Sequence, residues 1–254
     1  MAVASEDPAA MEPGLAVAAP RALVIGGRRG IGAAVVRALT GQGFAVTYTY
    51  RTEPGDLPGE ARPLDLADRA AVEAFATGLD NEPPWAAFVQ VGGTTYDTLA
   101  AMMDQDRAEA VMQVNFFSFT RIARAVARPM IRARNGRIVA VGSVIGQVAS
   151  QGNVAYGATK AALLAYVKGL AIESAKRGVT VNYVAPGFVD TEMMAPFAAH
   201  RAATEGRVPA GRYARPEEIA AVVAFLLSAE AGYVNGAYIP VDGGLTASAG
   251  VPRG

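Results

Sequence analysis

None of the 254 residues is a cysteine, so the chain can form no disulfide, no thiolate nucleophile and no zinc–thiolate centre. His200 is its one histidine, which excludes a histidine metal cluster within one chain and leaves Ser-His-Asp hydrolysis a poor candidate. It lies in a polar stretch and reads as a solvated surface side chain; no metal site is expected. An excess of one charge is missing too. The 23 Lys and Arg balance 23 Asp and Glu, so no net field recruits nucleic acid or an anionic membrane. No apolar run approaches the roughly 18 residues that span a bilayer. Residues 1–20, rich in Ala and Pro with Glu6, Asp7 and Glu12, carry no basic leader of the secretory or transit kind. The expectation is a disordered tail over 1–20 and one soluble, cytoplasmic domain over 21–254.

What the chain does contain is apolar residues, 52% of the total against 18% charged, enough for a large core in a single α/β domain. Ala22-Leu23-Val24-Ile25 reads as a buried strand, followed at once by Gly26-Gly27-Arg28-Arg29-Gly30-Ile31-Gly32 and an apolar helix over 33–39. With a further strand over 44–50 this completes a βαβ unit. A sharp turn at Gly26, close backbone approach at Gly30 and Gly32 and a helix N-terminus behind them suit a pyrophosphate. Further strands are expected at 86–89, 138–141 and 179–184, and helices over 67–79, 105–127 and 156–176.

Ser143 falls at the carboxyl end of one such strand. Tyr156 and Lys160, four apart on an Ala-rich helical pattern, share one helical face, so a phenol and an ammonium become neighbours. Alone, such a pair is more often two polar heads snorkelling from an apolar helix.

The glycine spacing, Gly-x3-Gly-x-Gly, resembles that of the short-chain dehydrogenase/reductase family. Ser143, Tyr156 thirteen residues later, Lys160, and Asn115 upstream match that family's Asn-Ser-Tyr-Lys tetrad in order and spacing. The resemblance covers roughly residues 20–246 and implies a Rossmann-type doubly wound parallel β-sheet with helices on both faces. It also implies a nicotinamide dinucleotide and reduction of a ketone. In that reading Tyr156 is the general acid and Lys160 the cation that lowers its pKa and bonds the nicotinamide ribose. Ser143 donates to the carbonyl oxygen, and Asn115 holds a proton-relay water. Asp65 and Leu66 take the adenine, and Pro186, Gly187, Val189 and Thr191 form the nicotinamide-side loop.

Where NAD-preferring relatives place an acid, this chain has Tyr50 followed by Arg51; together with Arg28 and Arg29 this points to a 2′-phosphate and hence NADP(H). Ile25 replaces the family's Thr, and Gln90-Val91-Gly92-Gly93 its Asn-Asn-Ala-Gly. The paired losses are expected to leave an apolar contact between Ile25 and Val91 rather than an orphaned polar group. A stretch over 190–213 with Met193, Met194 and Phe197 reads as a substrate lid or as packing.

Within the family, Pro186 to Met193 and Gly211 to Glu218 are most similar to the 3-oxoacyl-acyl-carrier-protein reductases. Enoyl reductases of the family space their Tyr and Lys seven apart instead. Arg128 and Arg177 stand where such reductases dock the acidic carrier protein, with Arg132, Lys168 and Lys176 extending the patch; surface solvation explains them equally well. The alternatives are a reductase or dehydrogenase of a free small ketone or alcohol, and a regulator that binds NADP(H) without turnover. A homotetramer or homodimer is the family's usual state.

Overall fold

A computed structural model describes residues 18–248, so most of the expected tail lies outside the described residues, as do the side chains of Pro196 and Phe197. Seven parallel strands form one sheet in the order β3-β2-β1-β4-β5-β6-β7. These are β1 (Arg21–Ile25), β2 (Ala45–Tyr50), β3 (Glu60–Pro63), β4 (Ala87–Gln90), β5 (Gly136–Val141), β6 (Val179–Pro186) and β7 (Tyr238–Val241). The five inner strands are almost wholly buried, residues of both parities included, because both sheet faces are covered.

Helices α2 (Arg69–Leu79), α4 (Ser118–Ala133) and α5 (Val154–Ser174) cover one face, where Val72, Phe119, Ile122, Leu163 and Val167 meet Leu23, Ile25, Phe88 and Ile138. Helices α1 (Gly30–Gly41) and α7 (Pro216–Leu227) cover the other, packing Val35, Leu39, Ile219 and Val223 on Val24, Val89 and Val139. Each such side chain removed from water contributes about 1.5–3 kcal/mol, so the two apolar layers dominate the stability. α7 starts as its sequence dictates. Pro216 needs no N–H there, and Glu218 closes a capping box by accepting from the Arg215 N–H at 2.7 Å.

The order reverses between β1 and β4, and a crevice opens at the carboxyl ends of those strands, where doubly wound sheets bind ligands. The stretch expected as a helix over 105–127 is helical throughout and runs on to Ala133, but its middle turn is widened. α3 (Gln105–Met112) passes into a π-helical turn, Gln113–Phe117, before α4 begins. A pattern of 3.6-residue period does not reveal such a widened turn, which here carries Asn115.

Ile25 and Val91 are neighbours through the main chain, the Ile25 carbonyl accepting from Val91 N at 2.9 Å and Gly92 N at 3.0 Å. Their side chains enter opposite apolar layers, so the expected contact between them is not made. The residue in register with Ile25 is Gln90, whose Nε2 donates to the Gly92 carbonyl at 3.2 Å while its buried Oε1 has no partner among the described residues.

Candidate active site

The glycine turn is shaped by its neighbours. Gly26 has φ +78°, and a Cβ there would stand 2.5 Å from Gly92 Cα, so the loops after β1 and β4 touch backbone to backbone. Thr49 of β2 secures the turn, its hydroxyl accepting from Gly26 N at 2.9 Å and its carbonyl from Gly27 N at 3.0 Å. A Cβ on Gly32 would lie 2.0 Å from the Gly26 carbonyl oxygen, so Gly32 serves helix-on-strand packing. The N-cap of α1, Arg29, makes no side-chain cap and the first turn holds no acid, which leaves its N–H groups for an anion.

A cleft of about 770 Å³ opens here, lined by Gly26, Arg28, Arg29, Gly30, Ile31, Tyr50, Arg51, Asp65, Leu66, Val91, Gly92, Gly93 and Thr191 among others. It fits a dinucleotide laid along the strand ends. All three arginines line it, and two are already paired: Arg28 with Glu53, and Arg29 across to Glu192 at 2.5 Å, which ties the glycine loop to the segment after Thr191. Arg51 is exposed and, among the described residues, in no ion pair.

A recess of about 110 Å³ shares Ile31, Val91, Gly93, Thr191 and Met193 with that cleft and is lined also by Ser143, Tyr156, Lys160, Pro186, Gly187 and Val189. Ser143, extended at φ −165°, caps the short turn Val144–Gly146 by accepting the Ile145 N–H at 3.2 Å, so its hydroxyl hydrogen remains available to donate, with the Tyr156 phenol within its reach. Lys160 is buried, with Nζ 5.5 Å from the centroid of the Tyr156 ring.

Burial pulls Lys160 down to about 8 and pushes Tyr156 up to about 12. The Ser143 hydroxyl lowers the phenol again and the Asp97 carboxylate raises it further. Desolvation is the largest of these effects on the phenol, and the Lys160 ammonium stands beside its ring.

Asn115 is 1% exposed and fully engaged. Its Oδ1 accepts from Thr94 N at 2.9 Å, and its Nδ2 donates to the Thr94 carbonyl at 2.9 Å and to Thr159 Oγ1 at 3.0 Å. Thr159 passes the connection on to the Tyr156 carbonyl at 2.7 Å. Both amide hydrogens are therefore committed inside the fold, which leaves only oxygen lone pairs for a relay water. A Cβ on Gly93 would lie 3.2 Å from Asn115 Oδ1 and 3.5 Å from Lys160 Nζ, so both groups stand beside that glycine.

Thr49, Thr94, Thr159, Asp97 and Glu53 carried no spacing signal and were not singled out from the sequence. The stretch expected as a lid or as packing runs through the 3-10 segment Glu192–His200 and α6 (Arg201–Glu205), with Arg201 forked onto Asp190 at 2.9 and 3.0 Å. Met193 and Met194 line the recess, while His200 is exposed. Among the described residues no group of His, Asp and Glu could hold a metal ion, and no helix is long and apolar enough to cross a membrane.

A family model described as "Enoyl-(Acyl carrier protein) reductase" matches residues 25–246. The 3-oxoacyl-acyl-carrier-protein reductase of Vibrio cholerae is 38% identical over 234 residues, covering 88% of this chain and 96% of that one. The chain belongs to the short-chain dehydrogenase/reductase family. The Escherichia coli K12 reductase of the same name is 37% identical over the same length and coverage.

Among solved structures, a putative NAD(P)-dependent gluconate 5-dehydrogenase from Beutenbergia cavernae with bound NADP superposes with a TM-score of 0.87 at 32% identity, covering 91% of this chain and 98% of that one. A gluconate 5-dehydrogenase from Burkholderia cenocepacia in complex with NADP and tartrate gives 0.84 at 30%, covering 90% and 96%. This short-chain dehydrogenase/reductase is accordingly an NAD(P)-dependent oxidoreductase acting on a CH–OH or ketone group, close to the 3-oxoacyl-acyl-carrier-protein reductases in sequence.

Proposed function

We propose that the protein is an NADPH-dependent reductase of the 3-oxo group of an acyl chain carried on acyl carrier protein, giving a 3-hydroxyacyl product. The observation that carries this reading is the meeting of Ser143, Tyr156 and Lys160 around one small recess that opens from the dinucleotide cleft.

The bound nicotinamide supplies the hydride. Gly26, Gly30 and the open N-terminus of α1 would hold the pyrophosphate, and Arg51, which lines the same cleft without an ion-pair partner among the described residues, would take the 2′-phosphate. Ser143 donates its hydroxyl hydrogen to the carbonyl oxygen, a bond that strengthens as negative charge grows there. Tyr156 gives its phenolic proton to the same oxygen, and with a pKa near 12 it is protonated at neutral pH. Lys160, still a cation below about pH 8, stabilises the phenolate left behind until solvent restores the proton. Asn115 braces Tyr156 through Thr159.

Support for a carrier-bound substrate comes from the sequence relatives and from Arg128 and Arg177, which are exposed and, among the described residues, outside any ion pair. The enzyme works in the cytoplasm as a homotetramer or homodimer; Phe117 at the π turn and Ile172 of α5 are apolar and exposed on the helices that would pair. Enoyl reduction is disfavoured because Tyr156 and Lys160 are four rather than seven apart.

A second reading, oxidation or reduction of a small free hydroxy acid or ketone, is favoured by the likeness to the two gluconate 5-dehydrogenase structures. Initial rates with acetoacetyl-carrier protein, ethyl acetoacetate, and gluconate with NADP+ separate the readings. The first predicts fastest turnover of the carrier-linked substrate, and preferred oxidation of gluconate selects the second. NADPH binding with no turnover of any of these selects a non-catalytic regulator.

A further inference from the structure

Tyr183 is a second phenol, buried behind the site against the main chain of Ser143 and Lys160, and none of the roles assigned above uses it. It is fully buried in β6, and burial pushes its pKa up, so it is a neutral hydroxyl. Its oxygen accepts the Ser143 main-chain N–H at 3.0 Å. Its hydrogen faces two carbonyls, those of Ser143 at 3.2 Å and Lys160 at 3.3 Å. One hydroxyl thus ties the loop carrying Ser143 to the helix carrying Tyr156 and Lys160.

The surroundings are shaped to admit it. A Cβ on Gly142 would lie 1.8 Å from Tyr183 Cζ, and one on Gly146 would lie 2.9 Å from its hydroxyl oxygen. Behind the ring, Tyr238 stacks at 5.7 Å with the planes 17° apart, which fixes the direction in which the hydroxyl points. A residue that only filled the core would need the ring and not a hydroxyl with three main-chain partners on two elements.

We infer that Tyr183 is a positioning residue: it holds the Ser143 hydroxyl in register with Tyr156 and Lys160, so that both proton donors reach one carbonyl oxygen. This rests on the reading of Ser143, Tyr156 and Lys160 given above. The glycines at 142 and 146 are part of the same device.

Tyr183→Phe keeps the ring and its stack and removes only the hydroxyl. With acetoacetyl-carrier protein and with ethyl acetoacetate, its kcat falls roughly 10- to 100-fold, the penalty of a small misplacement of reacting groups. KM for the ketone and the NADPH dissociation constant, read by fluorescence titration, stay within about twofold of wild type, because uniform binding is untouched.

Gly142→Ala drives a methyl into the ring and reproduces the loss. Gly142→Ala/Tyr183→Val removes the clash, restoring the melting temperature but not kcat; this pair decides the matter if Tyr183→Phe does not fold. A Tyr183→Phe enzyme with wild-type kcat, or a double variant that regains kcat along with stability, overturns the proposal. Tyr156→Phe is run beside them. If it too keeps wild-type kcat, the proton-donor reading falls and this proposal with it. If it is inactive while Tyr183→Phe is normal, only the role of Tyr183 is lost.

Discussion

The Lys160 ammonium stands over the Tyr156 ring, 5.5 Å from its centroid, and burial drives the two groups in opposite directions, the amine down to about 8 and the phenol up to about 12. At neutral pH the pair is therefore a cation beside a neutral phenol, the state in which a proton can be given and the resulting phenolate held.

Ketone reduction should decline above about pH 8 because Lys160 loses its charge there, not because Tyr156 ionises. Lys160→Arg keeps its charge at all working pH values, so its kcat, although lower, should lack the alkaline decline near pH 8. The check is the pH profile of NADPH oxidation at saturating ketone. In the reverse direction, alcohol oxidation should rise with pH, since that reaction needs the phenolate.

Stability should carry the same signature. Between about 8 and 10.5 the unfolded chain holds the Lys160 proton and the folded one does not, so stability rises with pH across that window. The gain is on the order of 3 kcal/mol at most. Tyr156 acts oppositely: between 10 and about 12 the folded state holds the proton that the unfolded state has lost, and stability falls. Urea titrations at stepped pH check this. Lys160→Met should be more stable than wild type at pH 7 and show no rise between pH 8 and 10.

Of the three arginines in the cleft, Arg51 should decide the coenzyme. Arg51→Ala should cost about tenfold in the preference for NADPH over NADH, the worth of one charge-assisted contact of roughly 1.4 kcal/mol. Glu53→Gln releases Arg28 and should strengthen that preference. The ratio of kcat/KM for the two coenzymes measures both.

Arg201 should matter to the ketone rather than to the fold. Its fork onto Asp190 is exposed, and its guanidinium lies 4.7 Å from the Tyr213 ring. Arg201→Ala should leave the melting temperature nearly unchanged, as exposed pairs do. The base of the lid is loosened, and KM for the ketone should rise several-fold.

The sheet, the glycine turn and the gathering of Ser143, Tyr156 and Lys160 at one recess were legible because each is written in spacing along the chain: apolar runs, Gly-x3-Gly-x-Gly, and a Ser, Tyr and Lys at fixed intervals. What escaped depends on direction in space. Arg28, Arg29 and Arg51 look alike in a string, yet one is held by Glu53 and another by Glu192. The widened turn at Asn115 satisfies Thr94 and Thr159, residues 21 and 44 positions away. Tyr183 sits in a strand whose every residue is buried, so an apolar pattern hid the one hydroxyl aimed at Ser143. Spacing likewise places Lys160 beside Tyr156 but does not show in which direction burial shifts each group.

The most direct measurement is NADPH oxidation with acetoacetyl-carrier protein by wild type and Tyr156→Phe at pH 7. Steady consumption yielding a 3-hydroxyacyl product by the wild type, with at least about a hundredfold loss in the variant, is the expected result for removal of the general acid. Equal rates in the two proteins would contradict proton delivery by Tyr156, and the absence of any product from the wild type would contradict the assigned reaction.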